Sequence, residues 1–211
     1  MIMKSEAIIP LGVVFCLMFV CDGEACSCMR QHPQTLFCRS DFVVLARVKR
    51  ERVFNDTRMF KIRVRREYKV SEKGVIALKS GRVLTPESDG FCGVKMEVGK
   101  LYIISGRIES LKARINQCAS WIQKWELTSR RQRKGLKLLY KNGCTCDVKY
   151  CSKKKCPRQL DSCVANWASR CEEREGICLR QPKGCMWMKT RALAQCRRRY
   201  FYKEGGLETL T

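Results

Sequence analysis

The sequence predicts a mainly β protein, made of a small N-terminal barrel and a disulfide-rich C-terminal module. Two observations carry this prediction. Short apolar segments recur between turn residues through the first part of the chain, which is typical of strands. Cysteines are unevenly spread, with five in residues 26–143 and nine in residues 144–196. The first part is long enough to bury a core, whereas the second must rely on disulfides, each worth about 2–4 kcal/mol.

Three segments are predicted as strands of the barrel. Residues 41–48 form an apolar run, residues 60–65 alternate between apolar and basic side chains, and residues 100–105 are apolar and closed by a glycine at position 106. Alternation with a period of two is typical of a half-buried strand. Turn residues lie between these segments, at 55–56 and 87–90. Strands this short and this closely spaced predict a small barrel.

A basic helix is predicted after Leu127. Thr128 or Ser129 can cap its N-terminus, and Gly143 is expected to end it in the left-handed conformation. The apolar residues at helical spacing are Leu136, Leu139 and Tyr140. We interpret the basic face of this helix as an ordinary solvated surface. The tail at residues 197–203 combines basic and aromatic side chains, and it is equally compatible with docking on acidic matrix and with full solvation.

Residues 1–25 are predicted to be a secretory signal peptide. A basic residue near the start is followed by an apolar run over residues 8–21, and small residues occupy the first and third places before Cys26. This arrangement is typical of a signal that is cleaved, here after Ala25. The run is shorter than the ~20 apolar residues that span a bilayer, and no later segment is apolar enough to do so. We therefore expect a secreted, extracellular protein without a membrane span.

The chain that remains after this cleavage would be strongly basic and would hold an even number of cysteines. The full sequence has 16 cysteines and a formal charge of +23; residues 1–25 contain two of those cysteines, one base and three acids, which leaves 14 cysteines and a charge of +25. In an exported chain this predicts seven disulfides and argues against a zinc finger around Cys144 and Cys146. The charge favours polyanions such as heparan sulfate or acidic matrix, and export makes nucleic acid a poor partner.

No catalytic constellation is recognised, so we predict a binding protein without a cofactor of its own and not an enzyme. His32 is the one histidine of the chain. A zinc peptidase of the His-Glu-x-x-His type needs two histidines, and a serine or cysteine hydrolase needs one beside its nucleophile. His32 is followed by Pro33 and lies between cysteines, which favours a structural role.

The Cys26-Ser27-Cys28 terminus offers a different chemistry. A terminal amine has a pKa of about 7.7–8.0, so a useful fraction is neutral at physiological pH. The amine nitrogen and the carbonyl oxygen of Cys26 could together chelate a metal ion, and catalytic zinc in proteases keeps one position open. Disulfides at Cys26 and Cys28 would make this terminus rigid, with the Ser27 side chain pointing outward. The alternative is that the Cys-Ser-Cys segment only forms structural disulfides and takes no part in binding.

The sequence resembles a known family, the tissue inhibitors of metalloproteinases, in four segments. The segment from Cys26 to Cys38 resembles the family's opening, and residues 87–93, which end Phe-Cys-Gly, resemble its connector loop. Residues 99–106 resemble its Gly-x-x-Tyr strand, and residues 118–144, which end Tyr-x-x-Gly-Cys, resemble the end of its inhibitory domain. The resemblance implies an OB-fold (netrin-like) barrel with a helix over residues 26–144. A small disulfide-rich C-terminal module with a basic tail would follow over residues 145–211.

The resemblance also implies a function, namely secreted inhibition of matrix metalloproteinases or related zinc sheddases. Cys26 would coordinate the zinc of the target protease, and Ser27 would enter its primed specificity pocket. The protease-binding residues would be Cys26, Ser27, Cys28, Met29, Arg39, Asp89, Gly90 and Cys92. The alternative function is a netrin-like module that binds extracellular matrix or heparin and has no inhibitory activity.

The family's disulfide pairing, carried over by position, joins six pairs of cysteines. These pairs are Cys26–Cys92, Cys28–Cys118, Cys38–Cys144, Cys146–Cys185, Cys151–Cys156 and Cys163–Cys178. Cys171 and Cys196 lie outside the common twelve-cysteine pattern and most simply pair with each other, as in some invertebrate-type members. Arg30 stands where a proline is common, which bears on the stiffness of the terminus and on target selectivity. Asn55 begins an Asn-Asp-Thr sequon, so we expect it to be glycosylated.

Overall fold

The structure, a computed structural model, describes residues 26–152, 156–157 and 159–205. The predicted signal peptide, residues 1–25, lies outside the described residues. Within the described part of the chain, no helix combines the length and the apolar character that crossing a membrane requires.

Five strands close into a barrel, and a sixth extends its wall. Strand β1 pairs antiparallel with both β2 and β4, and β3 pairs antiparallel with β2 and parallel with β5, which in turn pairs antiparallel with β4. The ring order is therefore β1-β2-β3-β5-β4, and β6 pairs with β4. The strands are β1 (Phe42–Phe54), β2 (Thr57–Val70), β3 (Arg82–Pro86), β4 (Leu101–Glu109), β5 (Lys112–Arg114) and β6 (Ile122–Lys124).

Strand β1 separates two apolar cores because successive side chains point to opposite faces. The even-numbered residues of 42–48 lie inside the barrel, whereas Val43 and Leu45 pack outside it, in one cluster with Phe37 and Tyr140. A strand that is buried on both faces needs a continuous apolar run, which is what the sequence has at this position.

Besides two short 3₁₀ turns, Asp89–Phe91 and Trp125–Leu127, the described part of the barrel region has three longer helices, of which only the last was predicted. The first two are α1 (Pro33–Arg39), where His32 is the N-cap and Pro33 the first helical residue, and α2 (Glu72–Lys79). The predicted basic helix is α3, which begins at Arg130–Lys134, widens into a π-helical stretch at Gly135–Leu139 and ends at Tyr140–Asn142. Ser129 caps α3 through a capping box.

Two of the glycine predictions are wrong. Gly143 follows α3 with φ −87° and ψ 0°, which is not left-handed. A side chain there would collide with the Cys178 carbonyl oxygen and with the Gln34 amide, so this glycine provides space for close packing. Gly106 does not end β4, because the strand continues to Glu109; the glycine instead makes room for the Phe42 ring.

The C-terminal module is built from two pairs of strands and two helices around cystine sulfur. A parallel pair joins β7 (Asp147–Cys151) to β8 (Ser162–Asn166), and an antiparallel pair joins β9 (Cys178–Gln181) to β10 (Gly184–Trp187). The helices are α4 (Cys171–Glu175) and α5 (Arg191–Gly205). Its apolar cluster contains Cys146, Cys163, Cys178 and Cys185.

The predicted fold class, a mainly β protein with a barrel and a disulfide-rich module, is confirmed. The module packs directly on the barrel, because Ile177 joins the outer apolar cluster of the barrel. The predicted division after residue 144 stays a prediction. The two parts are joined closely there, because the Gln34 side chain donates to the carbonyl oxygens of Gly143 in the first part and Cys178 in the second. The residues predicted as a basic tail belong to α5, where Arg197 forms an ion pair with Glu172.

Candidate functional site

Two adjacent disulfides hold the N-terminal segment, residues 26–31, on the barrel. Cys26 bonds Cys92, and Cys28 bonds Cys118. The Sγ atom of Cys118 lies 3.4 Å from that of Cys92 and 3.8 Å from that of Cys26, so the two bridges stack against each other. Because all four sulfurs are oxidised in disulfides, none is a thiolate that could bind a metal ion. Any metal chemistry at Cys26 must therefore use its backbone atoms.

The N-terminal segment presents alternate side chains to solvent. Ser27 and Met29 are exposed, whereas Cys26 and Cys28 are half-buried and turn toward the barrel. Met29 is 82% exposed, although it is apolar. The Gln31 amide donates to the Cys118 carbonyl oxygen at 2.9 Å, which fixes the chain just after these exposed residues. The segment thus forms a pinned ridge with two outward side chains.

The loop before Cys92 forms the second side of this ridge. A 3₁₀ turn over Asp89–Phe91 is capped by Ser88, whose hydroxyl accepts the Gly90 N–H at 3.1 Å. Cys92 has a left-handed backbone with φ 59°, a conformation that costs a residue with a side chain about 1–2 kcal/mol. A side chain at Gly93 would collide with the backbone carbonyl oxygens of residues 86–88, so this glycine lets the loop fold back closely on its own start.

Phe91 is a candidate that the sequence analysis missed. Its ring is 78% exposed, immediately before the cysteine that anchors Cys26. The predicted residues Asp89, which is exposed and pairs with Lys95 at 2.6 Å, and Gly90 share the same turn. Its position between the predicted contact residues Gly90 and Cys92 is the sequence signal that could have identified it.

A depression of about 400 Å³ lies between the ridge and the barrel wall. Its lining residues are Cys26, Asp89, Gly93, Val94, Lys95, Gln117, Ser120 and Ile122. The predicted site residues Cys26 and Asp89 therefore share one concave surface.

The chain after the ridge is fixed by contacts with the C-terminal module. The Arg30 guanidinium donates to the Glu173 carboxylate and to the Trp167 carbonyl oxygen. His32 is fully buried, and its Nε2 lies 2.9 Å from the Glu172 carbonyl oxygen. Burial lowers the pKa of His32 to about 4, so the imidazole is neutral at physiological pH. The predicted structural role of this histidine agrees with its contacts.

Two predicted residues belong neither to the ridge nor to its flanking loop. Arg39 is exposed at the last position of α1, and the seven residues of this helix span about 10 Å. Asn55 occupies the exposed turn between β1 and β2, where φ is 44°. The exposure of Asn55 is compatible with the predicted glycosylation.

Seven disulfides connect the described residues. Besides the two at the ridge, they join Cys38–Cys144, Cys146–Cys185, Cys151–Cys156, Cys163–Cys178 and Cys171–Cys196. These are the pairs that the resemblance implies, together with the additional pair. The Cys171–Cys196 bridge attaches α4 to α5.

A separate basic cleft lies on the barrel, across β1, β2 and β3. Its volume is about 440 Å³. It is lined by Lys49, Arg50, Arg52, Met59, Lys61 and Arg82. The five cations are all exposed, so the cleft is a concentrated positive surface.

Comparison with known proteins agrees with this architecture. A family model described as tissue inhibitor of metalloproteinase matches residues 24–202. The chain is 29% identical over 187 residues to the tissue inhibitor of metalloproteinase of Drosophila melanogaster, an alignment that covers 82% of this chain and 87% of that protein. It is 35% identical over 134 residues to metalloproteinase inhibitor 3 of Xenopus laevis, with 61% of each chain covered. It is 29% identical over 156 residues to metalloproteinase inhibitor 2 of Homo sapiens, with 68% of each covered.

These matches confirm the predicted family, whose members are inhibitors and not enzymes. With a family model that matches most of its length, the chain belongs to the tissue inhibitor of metalloproteinase family.

Proposed function

We propose that the protein is a secreted inhibitor of zinc metalloproteinases, which presents the free amine of Cys26 to the catalytic zinc of its target. The observation that carries this proposal is the pinned ridge, in which Cys26 and Cys28 are both bridged to the barrel while Ser27 and Met29 face solvent. Family membership supports the class of target. Matrix metalloproteinases or related sheddases are the proposed partners.

The ligands offered to the zinc would be the amine nitrogen and the carbonyl oxygen of Cys26. Its sulfur is committed to Cys92, so the side chain fixes the position of the backbone and leaves these two atoms free to form a five-membered chelate. Catalytic zinc holds a water at its open position, and the amine would displace that water. The target would then lack the nucleophile that it needs for hydrolysis.

The residues beside Cys26 would determine which proteases are bound. Ser27 is small and exposed, so it would enter a specificity pocket next to the zinc. Met29 and Phe91 are the two large apolar side chains exposed on the ridge and its flanking loop. Apolar anchors of this kind supply much of the affinity of protein interfaces, and rigidity lowers the entropy cost of binding.

N-terminal sequencing of the secreted protein, combined with one inhibition assay, tests this function. We expect the first residue to be Cys26, and we expect a matrix metalloproteinase to be inhibited while a serine endopeptidase is unaffected. A secreted protein that begins at Cys26, contains its disulfides and leaves a panel of zinc endopeptidases uninhibited would refute the proposal.

The basic cleft supports a second function, retention on sulfated glycans such as heparan sulfate. Five exposed cations around one concave surface concentrate positive charge in a cleft, which attracts a polyanion more strongly than the same charges scattered over the surface would. This function is compatible with inhibition, because the cleft lines β1, β2 and β3 and includes none of the ridge residues.

Heparin chromatography in rising salt tests the second function. We expect elution well above physiological ionic strength, and charge reversal at Arg52 and Lys61 should lower the salt needed for elution. Charge reversal at Lys134 and Lys137, two exposed cations of α3, gives a control variant with the same net charge as the first variant. Equal elution of the two variants would show that only net charge matters and that the cleft is not a site.

A further inference from the structure

Arg30 occupies a site that is formed by the C-terminal module. Its Nε donates to the Glu173 carboxylate at 2.8 Å, and its Nη2 bonds the same oxygen. Its Nη1 donates to the Trp167 carbonyl oxygen at 2.8 Å, and the guanidinium carbon lies 5.4 Å from the centre of the Tyr150 ring. One side chain of the N-terminal segment thus contacts three parts of the module.

The Arg30–Glu173 ion pair is largely shielded from water. The two side chains are 20% and 25% exposed, and the Tyr150 ring, which packs edge to face against Trp167 at 5.5 Å, lies against the guanidinium. Exposed ion pairs contribute little because water and side-chain entropy compete with them. A shielded pair with several charge-assisted hydrogen bonds is stronger and more directional.

The helix that carries Glu173 is itself firmly held. Helix α4 has only five residues, and the additional disulfide, Cys171–Cys196, attaches its first residue to α5. The Glu173 carbonyl oxygen accepts from the Gln132 amide at 3.1 Å, which ties α4 to α3. Glu173 is therefore a fixed acceptor, and the two departures from the family pattern, Arg30 and the extra cysteine pair, meet at one place.

We propose that Arg30 and Glu173 are positioning residues, through which the C-terminal module sets the direction of the ridge. The proposal rests on the function proposed above. Met29 lies between two fixed points, because Cys28 is bridged to Cys118 and Arg30 is held by Glu173. This ion pair supplies the stiffness that a proline at position 30 would otherwise provide through its restricted backbone.

Substitution in the full-length protein tests the role of Glu173. Glu173→Gln keeps the shape of the side chain and removes the charge, and we expect it to weaken metalloproteinase inhibition about tenfold, the cost of ordering one freed residue on binding. Asp161→Asn is the matched control, because it removes an exposed ion pair with Arg180 in the same module, and it should leave inhibition unchanged.

Proline at position 30 distinguishes positioning from a general structural role. We expect Arg30→Pro to inhibit as wild type does, and we expect Glu173→Gln to have no further effect in that background. We expect Arg30→Ala to be as weak as Glu173→Gln, with no additional loss in the double variant, because both remove the same interaction. Equal losses from Glu173→Gln in the wild-type and Arg30→Pro backgrounds would overturn the proposal.

Backbone ¹⁵N relaxation at Met29 in the free protein separates this inference from the proposed function. The order parameter should fall from about 0.85 to below about 0.6 in Glu173→Gln. If wild type inhibits and Glu173→Gln inhibits equally well, the positioning role is wrong while the inhibitor function stands. If wild type itself does not inhibit, the inhibitor function is wrong, and an unchanged order parameter in Glu173→Gln would then overturn the positioning role as well.

Discussion

The imidazole of His32 donates from Nε2 to the Glu172 carbonyl oxygen at 2.9 Å and accepts the Gln34 N–H at Nδ1 at 3.1 Å. Both ring nitrogens are thus used in the neutral form, one as donor and the other as acceptor. A proton on Nδ1 would face the Gln34 N–H and would remove the N-cap of α1. Together with complete burial, this explains why His32 resists protonation.

The first prediction is that the protein loses stability as the pH falls below neutral. Burial lowers the pKa of His32 from 6.5 to about 4, so between these values the unfolded chain binds a proton that the folded chain does not. Lowering the pH from 7 to 5 should therefore reduce the free energy of unfolding by about 2 kcal/mol through this group alone. Urea unfolding at the two pH values, in wild type and in His32→Gln, measures the difference. If wild type and His32→Gln lose the same free energy of unfolding between pH 7 and pH 5, protonation of His32 does not cause the loss.

The additional disulfide leads to a second prediction. Replacing both Cys171 and Cys196 by serine opens a loop with a sequence separation of 25, and it should lower the free energy of unfolding by about 3 kcal/mol. Because the bridge holds the helix that carries Glu173, inhibition should also weaken. Urea unfolding and an inhibition assay on the same preparation measure both effects. Reduced stability with unchanged inhibition would show that α4 keeps its place without the bridge.

A third prediction concerns the contact between the barrel and the module at Gly143. The Cys178 carbonyl oxygen and the Gln34 amide occupy the space that a side chain would need. Gly143→Ala should therefore lower the free energy of unfolding by about 2 kcal/mol through overpacking. The backbone angles at this position are open to alanine, so the loss must come from the collision. A variant as stable as wild type would show that the barrel and the C-terminal module can move apart at this contact at little cost in free energy.

The exposed ring of Phe91 gives a fourth prediction. Phe91→Ala should weaken metalloproteinase inhibition about tenfold while leaving the unfolding midpoint unchanged, because the ring contacts little of its own protein. Leu138→Ala is the control, since Leu138 is also apolar and 63% exposed but belongs to the π-helical stretch. Equal inhibition by Phe91→Ala and wild type would exclude the ring from the interface.

Much of the barrel could be predicted because its residues carry local signals. The apolar run of β1, the alternation in β2 and the cap at Ser129 each depend on near neighbours in the sequence, and the structure has them. The helices α1 and α2 were missed although Pro33 and Ser71 are start signals, because both helices are short. Short helices depend on tertiary packing more than on local propensity.

The contacts of the ridge could not be predicted to the same extent. The partner of Arg30 is 143 residues away, and no pattern in the sequence connects the two positions. The roles of Gly106 and Gly143 were misjudged for the same reason, since the groups that need the space come from distant segments. The zinc chemistry proposed for Cys26 was inferred from the sequence, whereas the contacts that fix the N-terminal segment, such as that of Arg30 with Glu173, depend on tertiary structure.

The most direct test of the central claim is inhibition by a protein with one alanine added ahead of Cys26. The added residue converts the terminal amine into an amide, which cannot bind zinc as an amine does, and leaves every disulfide in place. An alanine added after Thr211 is the control. The account predicts that the N-terminal addition abolishes metalloproteinase inhibition without changing the unfolding midpoint, while the C-terminal addition changes neither. Full inhibition by a folded protein that begins Ala-Cys-Ser-Cys would contradict it.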